Sequence, residues 1–281
     1  DIDLNTLNYN LDDLESAVSS KTKAIMAVNL LGNSNDFNKI NEIIENRDIV
    51  VIEDNCESMG AKFDDKFCGT HGLMGTFSTF FSHHMATMEG GMVLTDDEEC
   101  YHILLCLRAH GWTRNLPDKN HVADKSDDWF EESFRFVLPG YNVRPLEMSG
   151  AIGIEQLKKL PLFIKQRRKN AEIFVRLFKD DKRFLIQKEI GESSWFGFSL
   201  IIMDKSINRK EIIDLLTINK IDSRPIVTGD FTKNDVMKFF NYEIHKTLEN
   251  ADHLHYQGFF LGNSHADLNK ELIFLKKVLS S

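Results

Sequence analysis

Two adjacent histidines, His83 and His84, lie in the segment FSTFFSHHMATMEGGMVLT, which spans residues 77–95. An apolar run ends at these imidazoles and restarts at two glycines, which predicts a turn between two strands. Imidazole changes its charge near neutral pH, so such a turn can hold a general base. Adjacent side chains of an extended segment point to opposite faces, which makes joint metal binding awkward. We therefore expect at most one histidine to be catalytic and the other to be structural.

Acidic residues follow the predicted strand DIVVIEDN, which spans residues 48–55. Asp54 ends this strand, and Glu57 comes three residues later, so one helical turn can return its carboxylate to the same place. The carboxyl ends of parallel strands are where open α/β sheets bind their ligands. The pair therefore favours a ligand site, and the alternative for Asp54 alone is an ordinary acid in a surface turn.

Two further segments carry polar groups that can bind anions. Ser78 lies five residues before His83, so both can border one crevice. Its hydroxyl is either a phosphate ligand or an ordinary group on a strand face. The segment RAHGWTRN, residues 108–115, offers the planar fork of arginine to phosphate and a tryptophan face to a sugar ring or base. The alternative there is a solvated, charged turn.

The elements that must position these residues alternate between helix and strand in the first half of the chain. Hydrophobic spacing predicts helices at 11–19, about 37–44 and about 100–107, and strands within 23–32, 48–55, 75–81 and 91–95. The strand–helix–strand unit is most economically parallel and right-handed. The first half is therefore predicted to have an α/β fold.

The second half begins with a polar tract over residues 112–136, which lacks a sustained period and reads as a long functional or disordered loop. A long helical tract then reaches Lys179, and Pro161 is expected to break it. The remaining strand and helix patterns predict a small α+β domain. We therefore divide the chain into residues 1–145 and 146–281.

Composition excludes several classes of partner. The formal net charge of -9 argues against nucleic acid or an anionic membrane as a general partner. No apolar run approaches the roughly 18 to 20 residues that cross a bilayer, so we expect a cytoplasmic protein. The four cysteines match neither a CxxC pair nor a secreted disulfide framework, so reduced thiols and no metal site are expected.

The segments 51–99 and 138–157, which include VIEDNCESMG, FSTFFSHHMATMEGG and LPGYNVRPLEMSG, resemble the DegT/DnrJ/EryC1/StrS family of sugar aminotransferases. The resemblance implies a fold type I enzyme that uses pyridoxal or pyridoxamine 5'-phosphate and forms a homodimer. It assigns residues 1–145 to the cofactor-binding large domain, with a mostly parallel sheet. Family members begin well upstream of Asp1, with a segment that supplies a helix N-terminus for the phosphate and a stacking aromatic. That part of the large domain is missing here, which implies weaker cofactor binding.

The same resemblance assigns roles to five residues. Asp54 pairs with the pyridine nitrogen of the cofactor, and Glu57 contacts its ring hydroxyl. Ser78 holds the cofactor phosphate, and Asn142 in the GYN motif reaches the phosphate of the neighbouring subunit. Cys56, between the two acids, packs on one face of the ring.

The family's cofactor-binding lysine follows that serine by five residues, and this chain has His83 there. Histidine cannot form an imine with an aldehyde but can act as a base near neutral pH. Among relatives, this change marks 3-dehydratases of nucleotide-linked 4-keto-6-deoxy sugars. A branch acting on a CDP-sugar carries an iron–sulfur cluster on later cysteines, and this chain has no cysteine after Cys106. The resemblance favours a GDP-linked 4-keto-6-deoxymannose substrate with L-glutamate as amino donor, in 3,6-dideoxysugar and lipopolysaccharide synthesis.

Three residues are candidates for substrate binding. His110 and Arg114 are expected to contact the sugar and its diphosphate, and Arg114 can serve the partner subunit's site. Arg224, in the segment DSRPIVTGDF, matches a family segment over the active site. Two alternatives stay open. One is a sugar aminotransferase that uses another lysine, although residues 77–95 contain none; the other is an inactive, dimerising paralogue.

Overall fold

The structure is a computed structural model that describes residues 1–280. Its strands are β1 (Ala24–Val28), β2 (Val50–Asp54), β3 (Lys62–Phe63), β4 (Lys66–Phe67), β5 (Met74–Ser78), β6 (Gly91–Leu94), β7 (Phe184–Leu185), β8 (Gly197–Ile202) and β9 (Gly258–Gly262). Its α-helices are α1 (Leu11–Ala17), α2 (Phe37–Ile44), α3 (Glu98–Leu107), α4 (Trp129–Glu132), α5 (Glu147–Phe178), α6 (Arg209–Ile218), α7 (Glu249–Gln257) and α8 (Asn269–Val278). Short 3₁₀ turns occupy Leu30–Gly32, Thr113–Asn115, Phe231–Lys233 and Asp235–Phe239.

The first sheet has the strand order β1-β2-β5-β6. The pairs β1–β2 and β2–β5 are parallel, and β6 pairs antiparallel with β5. Helix α2 connects β1 to β2, so the predicted strand–helix–strand unit is confirmed. On the face of the sheet that α2 covers, Ile25, Ala27 and Val51 are buried against Phe37 and Ile40 of the helix. The fold class predicted for the first half, an α/β fold with a mostly parallel sheet, is therefore confirmed.

The second sheet is antiparallel, with the order β7-β8-β9. Strand β8 is buried along its whole length. Phe174 and Phe178 of α5 pack with Phe198 of β8 in a core that Leu272 and Leu275 of α8 complete. Helices packed on one antiparallel sheet form the α+β arrangement predicted for this half. The boundary at residue 145 stays a prediction.

The expectation that Pro161 breaks the long helix is wrong, because α5 runs from Glu147 to Phe178 through it. Proline removes one helical hydrogen bond and crowds the preceding turn. On either side of the proline, Leu160 and Ile164 pack with Met59 and Phe77 of the first half. We infer that this packing holds the two halves of the helix in line despite the lost hydrogen bond.

The tract between α3 and α5 holds one 3₁₀ turn and the four-residue helix α4, and is otherwise irregular. Within residues 1–280, the helices are too short or too polar to cross a bilayer.

Candidate functional site

The carboxyl ends of β2 and β5 lie side by side at one edge of the first sheet. Asp54 is the last residue of β2 and pairs with Thr76 of β5. Ser78 ends β5 two residues further on, so the two side chains come from neighbouring strand ends. We call Asp54, Cys56, Glu57, Ser78 and His83 the strand-end crevice. It lies where open α/β sheets place their ligands.

Asp54 is held by the turn that follows it. One carboxylate oxygen, Oδ1, accepts a hydrogen bond from the backbone N–H of Cys56 at 3.0 Å. Burial raises the pKa of the Cys56 thiol to about 12, and a hydrogen bond and the charge of Asp54 add to the effect. Cys56 therefore stays a neutral thiol at physiological pH, and packing is the role left to it.

Glu57 returns to the same region, as its spacing from Asp54 predicts. Its Oε2 accepts a hydrogen bond from the backbone N–H of Leu31 at 2.9 Å. Burial raises the pKa of Glu57; the Leu31 N–H opposes this shift, and the charge of Asp54 adds to it. The charge of Asp54 therefore acts on the Glu57 carboxylate.

Ser78 keeps its hydroxyl proton available. Its Oγ accepts a hydrogen bond from the backbone N–H of Phe80 at 3.2 Å. Within residues 1–280, no hydrogen bond uses the Ser78 O–H as donor. The hydroxyl can therefore donate to an anionic oxygen at the sheet edge.

The two histidines lie on a loop that closes on itself between β5 and β6. Thr79 donates its backbone N–H to Gly90 and accepts from the N–H of Thr87, and the two threonine hydroxyls lie 2.7 Å apart. Gly90 has φ +148°, and a Cβ there would lie 2.7 Å from the Thr79 hydroxyl oxygen. The closed loop therefore needs glycine at position 90, which explains why a glycine precedes the second apolar run of this segment.

His83 is half-buried and carries a free ring nitrogen. Its ring lies 5.3 Å from that of Phe196, and its Nδ1 is buried without a hydrogen-bond partner. Burial lowers the pKa of His83, and the charge of Arg167 lowers it further; the Phe80 carbonyl and Asp54 act in the opposite direction. The imidazole is therefore neutral at pH 7, which is the form a base requires.

His84 has a different environment. It is buried, and its Nε2 lies 3.2 Å from the carbonyl oxygen of Ser194, so this nitrogen carries the proton and donates it. Burial lowers the pKa of His84 to about 3, with a further contribution from the charge of Arg167. The expectation that one of the two histidines is structural fits His84.

The segment 108–115 does not form the open cradle that its composition favours. Arg114 is exposed and lies over the Trp112 ring, 4.5 Å from its centroid. Trp112 is buried and also stacks with Phe134 and Phe136. Its faces are therefore occupied, and the expectation that it offers one to a sugar or base is not met. His110 is exposed, with φ +65°, and its backbone N–H donates to Tyr141.

Asn142 and Arg224 are also exposed. The side-chain oxygen of Asn142 accepts a hydrogen bond from Nε of Arg144 at 3.1 Å, and the backbone of Arg224 pairs with Phe260. Among the residues that the structure describes, 1–280, no hydrogen bond, ion pair or ring contact joins these side chains, or those of His110 and Arg114, to the strand-end crevice. The structure thus places five predicted site residues at or just after two neighbouring strand ends and the other four elsewhere.

Sequence reasoning missed a buried carboxylate next to Asp54. Glu53 is fully buried, and its two oxygens accept hydrogen bonds from the backbone N–H groups of Gly69, His71 and Gly72 at 2.6 to 2.8 Å. Glu53 therefore fixes the loop that leads into β5. The strict alternation of side chains along a strand could have indicated that Glu53 and Asp54 face opposite ways.

A second missed feature is an amide network beneath the sheet edge. Asn29 is buried and donates to the side-chain oxygen of Asn55 at 2.7 Å. Asn35 donates both a backbone and a side-chain N–H to Asn29. The asparagines in NLLGNSN, residues 29–35, were the available signal. This network connects the ends of β1 and β2 and so supports the residue that carries Asp54.

The strand-end crevice fits the phosphorylated pyridine cofactor that the family resemblance implies. Asp54 supplies a carboxylate for a cationic ring nitrogen, and Glu57 supplies a second one for a ring hydroxyl. Ser78 has an unused O–H for a phosphate oxygen, and His83 has an unpaired nitrogen. Each polar group of such a cofactor thus has a partner of matching chemistry among these residues.

Comparison with known proteins gives consistent results. A model of the DegT/DnrJ/EryC1/StrS aminotransferase family matches residues 1–274. A GDP-4-keto-6-deoxy-D-mannose 3-dehydratase of Escherichia coli O55:H7 is 62% identical, over 99% of this chain and 73% of that protein. The resemblance inferred from the sequence motifs is therefore confirmed.

Two similar solved structures carry ligands. One is a histidine-to-asparagine mutant of GDP-4-keto-6-deoxymannose-3-dehydratase with bound GDP-perosamine; it is 62% identical, has a TM-score of 0.97, and is matched over 99% of this chain and 73% of that one. The other is the same kind of enzyme with a trapped PLP-glutamate geminal diamine; it is 61% identical, with a TM-score of 0.97 over the same shares. The fold type I assignment is thereby confirmed.

Proposed function

The chain belongs to the DegT/DnrJ/EryC1/StrS aminotransferase family, and we propose that it is a pyridoxal-phosphate-dependent 3-dehydratase that acts on GDP-linked 4-keto-6-deoxymannose. The observation that carries this proposal is a neutral histidine, His83, at the strand-end crevice, in the place where the wider family has a lysine. The similarity to enzymes of this name over 99% of the chain supports the substrate.

Four residues hold the cofactor. When bound, it supplies an amino group taken from glutamate and a cationic ring that accepts electrons. Asp54 keeps the ring nitrogen protonated, and Glu57 contacts the ring hydroxyl. Ser78 donates its O–H to the phosphate, while the neutral Cys56 thiol packs against a ring face. Together these residues would hold the cofactor in the crevice that His83 borders.

His83 moves the proton. With the cofactor and sugar bound, its imidazole would take a proton from the C4′ carbon, and the C3 hydroxyl of the sugar would leave with a proton as water. Overall the sugar loses one oxygen atom, while glutamate is oxidised to 2-oxoglutarate and its nitrogen leaves as ammonia. The lowered pKa of His83 keeps the accepting form populated near neutral pH.

The exposed candidates serve the substrate and a second subunit. His110, Arg114 and Arg224 bind the sugar and its diphosphate, since an arginine fork matches phosphate oxygens. Asn142 reaches the cofactor phosphate of the partner subunit in a homodimer. The nearby exposed side chains of Trp129 and Tyr141 support such an interface, because large exposed apolar groups mark contact surfaces. A nucleotide sugar and glutamate are dissolved metabolites, which supports the predicted cytoplasmic location.

The test is product analysis with several nucleotide sugars. We expect the purified protein, given pyridoxal phosphate, L-glutamate and GDP-4-keto-6-deoxymannose, to release ammonia and a sugar without its C3 oxygen, detected by mass spectrometry and NMR. A product that keeps the C3 hydroxyl and gains an amine at C4 would establish an aminotransferase instead. Faster turnover of a CDP- or dTDP-linked sugar would overturn the assignment of GDP.

A further inference from the structure

A buried arginine lies on α5, behind the loop that carries the two histidines. Arg167 is 5% exposed, and its Nη1 donates to the backbone carbonyls of Phe196 at 3.2 Å and Asn263 at 2.9 Å. No carboxylate pairs with it among residues 1–280, and its Nε is buried without a partner. A guanidinium in this setting keeps an uncompensated positive charge inside the protein.

The segment held by Arg167 is the one that packs against the imidazoles. The Phe196 ring lies 5.3 Å from that of His83 and 5.8 Å from that of His84. His84 donates to the carbonyl of Ser194 in the same segment. Arg167 therefore binds the backbone of the residue whose ring lies against both imidazoles.

The charges that face His83 come from three elements. Asp54 approaches from the end of β2, Arg167 from α5, and His84 is its neighbour on the loop. His84 is neutral, so the balance lies between one carboxylate and one guanidinium. Burial lowers the pKa of Arg167 to about 10, which still leaves it charged at physiological pH.

We propose that Arg167 is a positioning residue for His83: its buried charge disfavours the imidazolium, and its hydrogen bonds fix Phe196 against the imidazole. The inference rests on the proposed function, in which His83 accepts a proton. Asp54 has to stay ionised to hold the cofactor, and its charge favours a protonated His83. The charge of Arg167 counters that effect at His83 and so favours the neutral imidazole that the reaction needs.

The neighbouring Arg168 provides a matched control. It is only partly exposed, but its Nη1 pairs with Glu192 at 2.6 Å and its Nε donates to Ser193. Its charge is thus paired locally, and Arg168 is not among the groups that shift the pKa of His83. Replacing it removes an arginine from the same helix without changing the field at the imidazole.

The experiment measures the titration midpoint of His83 itself, by hydrogen–deuterium exchange at the imidazole C2 position followed by mass spectrometry. In R167M and R167Q we expect the His83 midpoint to rise by roughly 0.5 to 1 unit, because a repelling charge is lost. The acid limb of the kcat profile should move upward by the same amount. R167K keeps the charge, and R168M leaves the field unchanged, so both should retain the wild-type midpoint.

An unchanged His83 midpoint in folded R167M or R167Q would overturn the inference, as would an equal shift in R168M. If both neutral variants fail to fold, R167K decides the matter, since a rise as large as a full unit despite the retained charge would contradict the proposed role. Failure of the proposed function is separable: a fully active H83N variant would sink that proposal while leaving the midpoint measurements valid.

Discussion

The strand-end crevice and the loop over residues 108–144 place their functional side chains by different means. In the crevice, β-strand pairing and backbone hydrogen bonds fix Asp54, Glu57 and the histidine loop without any ligand. On the loop, His110, Arg114 and Asn142 are exposed, and Arg114 rests on a tryptophan ring rather than on a site residue. Contacts within the chain therefore fix the crevice side chains, whereas the loop side chains are exposed to solvent.

The largest effect is expected at the proposed base of the crevice, His83. His83→Asn removes the base but keeps a polar side chain, so kcat should fall roughly 100- to 10,000-fold. Binding of pyridoxal phosphate, followed by its absorbance, should stay close to wild type because the holding residues remain. The control is His121→Asn, since that exposed histidine pairs with Glu98 and stacks with His102. Undiminished turnover in H83N would move the base elsewhere.

Asp54→Asn should have the next largest effect. An amide cannot stabilise a cationic ring nitrogen, so we expect kcat/KM to fall roughly 100- to 1,000-fold. The bound cofactor should also change its absorption spectrum as the ring nitrogen loses its proton. Asp65→Asn, at an exposed turn, is the matched control. A variant with normal turnover would show that the crevice does not act on the cofactor ring.

His84, the buried neighbour of His83, should affect stability rather than chemistry. His84→Asn removes the hydrogen bond to Ser194 and leaves a buried carbonyl unpaired, which should cost roughly 1 to 3 kcal/mol in the free energy of unfolding. Urea denaturation at pH 7 measures this loss. A variant as stable as wild type would indicate that the buried imidazole contributes no net interaction.

The same residue predicts a pH dependence. The folded-state pKa of His84 is lowered to about 3 from 6.5, so the unfolded chain binds more protons between these values. Its contribution to stability is fully present above pH 6.5 and is lost as the pH falls toward 3. Wild type should therefore lose stability more steeply with acid than H84N, by up to about 1.4 kcal/mol per pH unit. Parallel curves from pH 7 to 4 would contradict this assignment.

The smallest effect is expected on the loop. Arg114→Lys keeps the charge but loses the planar fork, so KM for the nucleotide sugar should rise about tenfold with kcat little changed. Lys119→Gln is the control, because it changes a charge on the same exposed loop. A fall in kcat as large as that of the crevice variants would erase the distinction between the two regions.

The features that follow local periodicity could be predicted from the sequence. The spacing of Phe37, Ile40 and Ile43 gave α2, and the apolar run that ends at Asp54 gave both β2 and the position of the ligand edge. Parallel pairing then followed from the helical crossover between the strands. The crevice residues could be grouped because each of them lies at or just after a strand end.

Features that depend on distant parts of the chain could not be predicted. Arg167 appears in the sequence as one more charged residue of a helix, and its acceptors at Phe196 and Asn263 lie 29 and 96 residues away. Local rules predict that a helix breaks at Pro161. The residues around it stay helical because they pack against the first half of the chain. The polar neighbours of Trp112 in the sequence favour an exposed ring. Two phenylalanines more than twenty residues later in the chain cover that ring. In each case tertiary contacts outweigh the local signal.

Glu53 and Asp54 are consecutive acids with different environments. Glu53 is buried and accepts hydrogen bonds from three backbone N–H groups, whereas Asp54 lies at the ligand edge. A shift of β2 by a single residue would exchange them, leaving three amide hydrogens without an acceptor and burying the wrong carboxylate. The buried Glu53 therefore fixes the register of β2 in the sheet. An insertion or deletion of one residue within β2 should be far more damaging than any exchange of its apolar side chains.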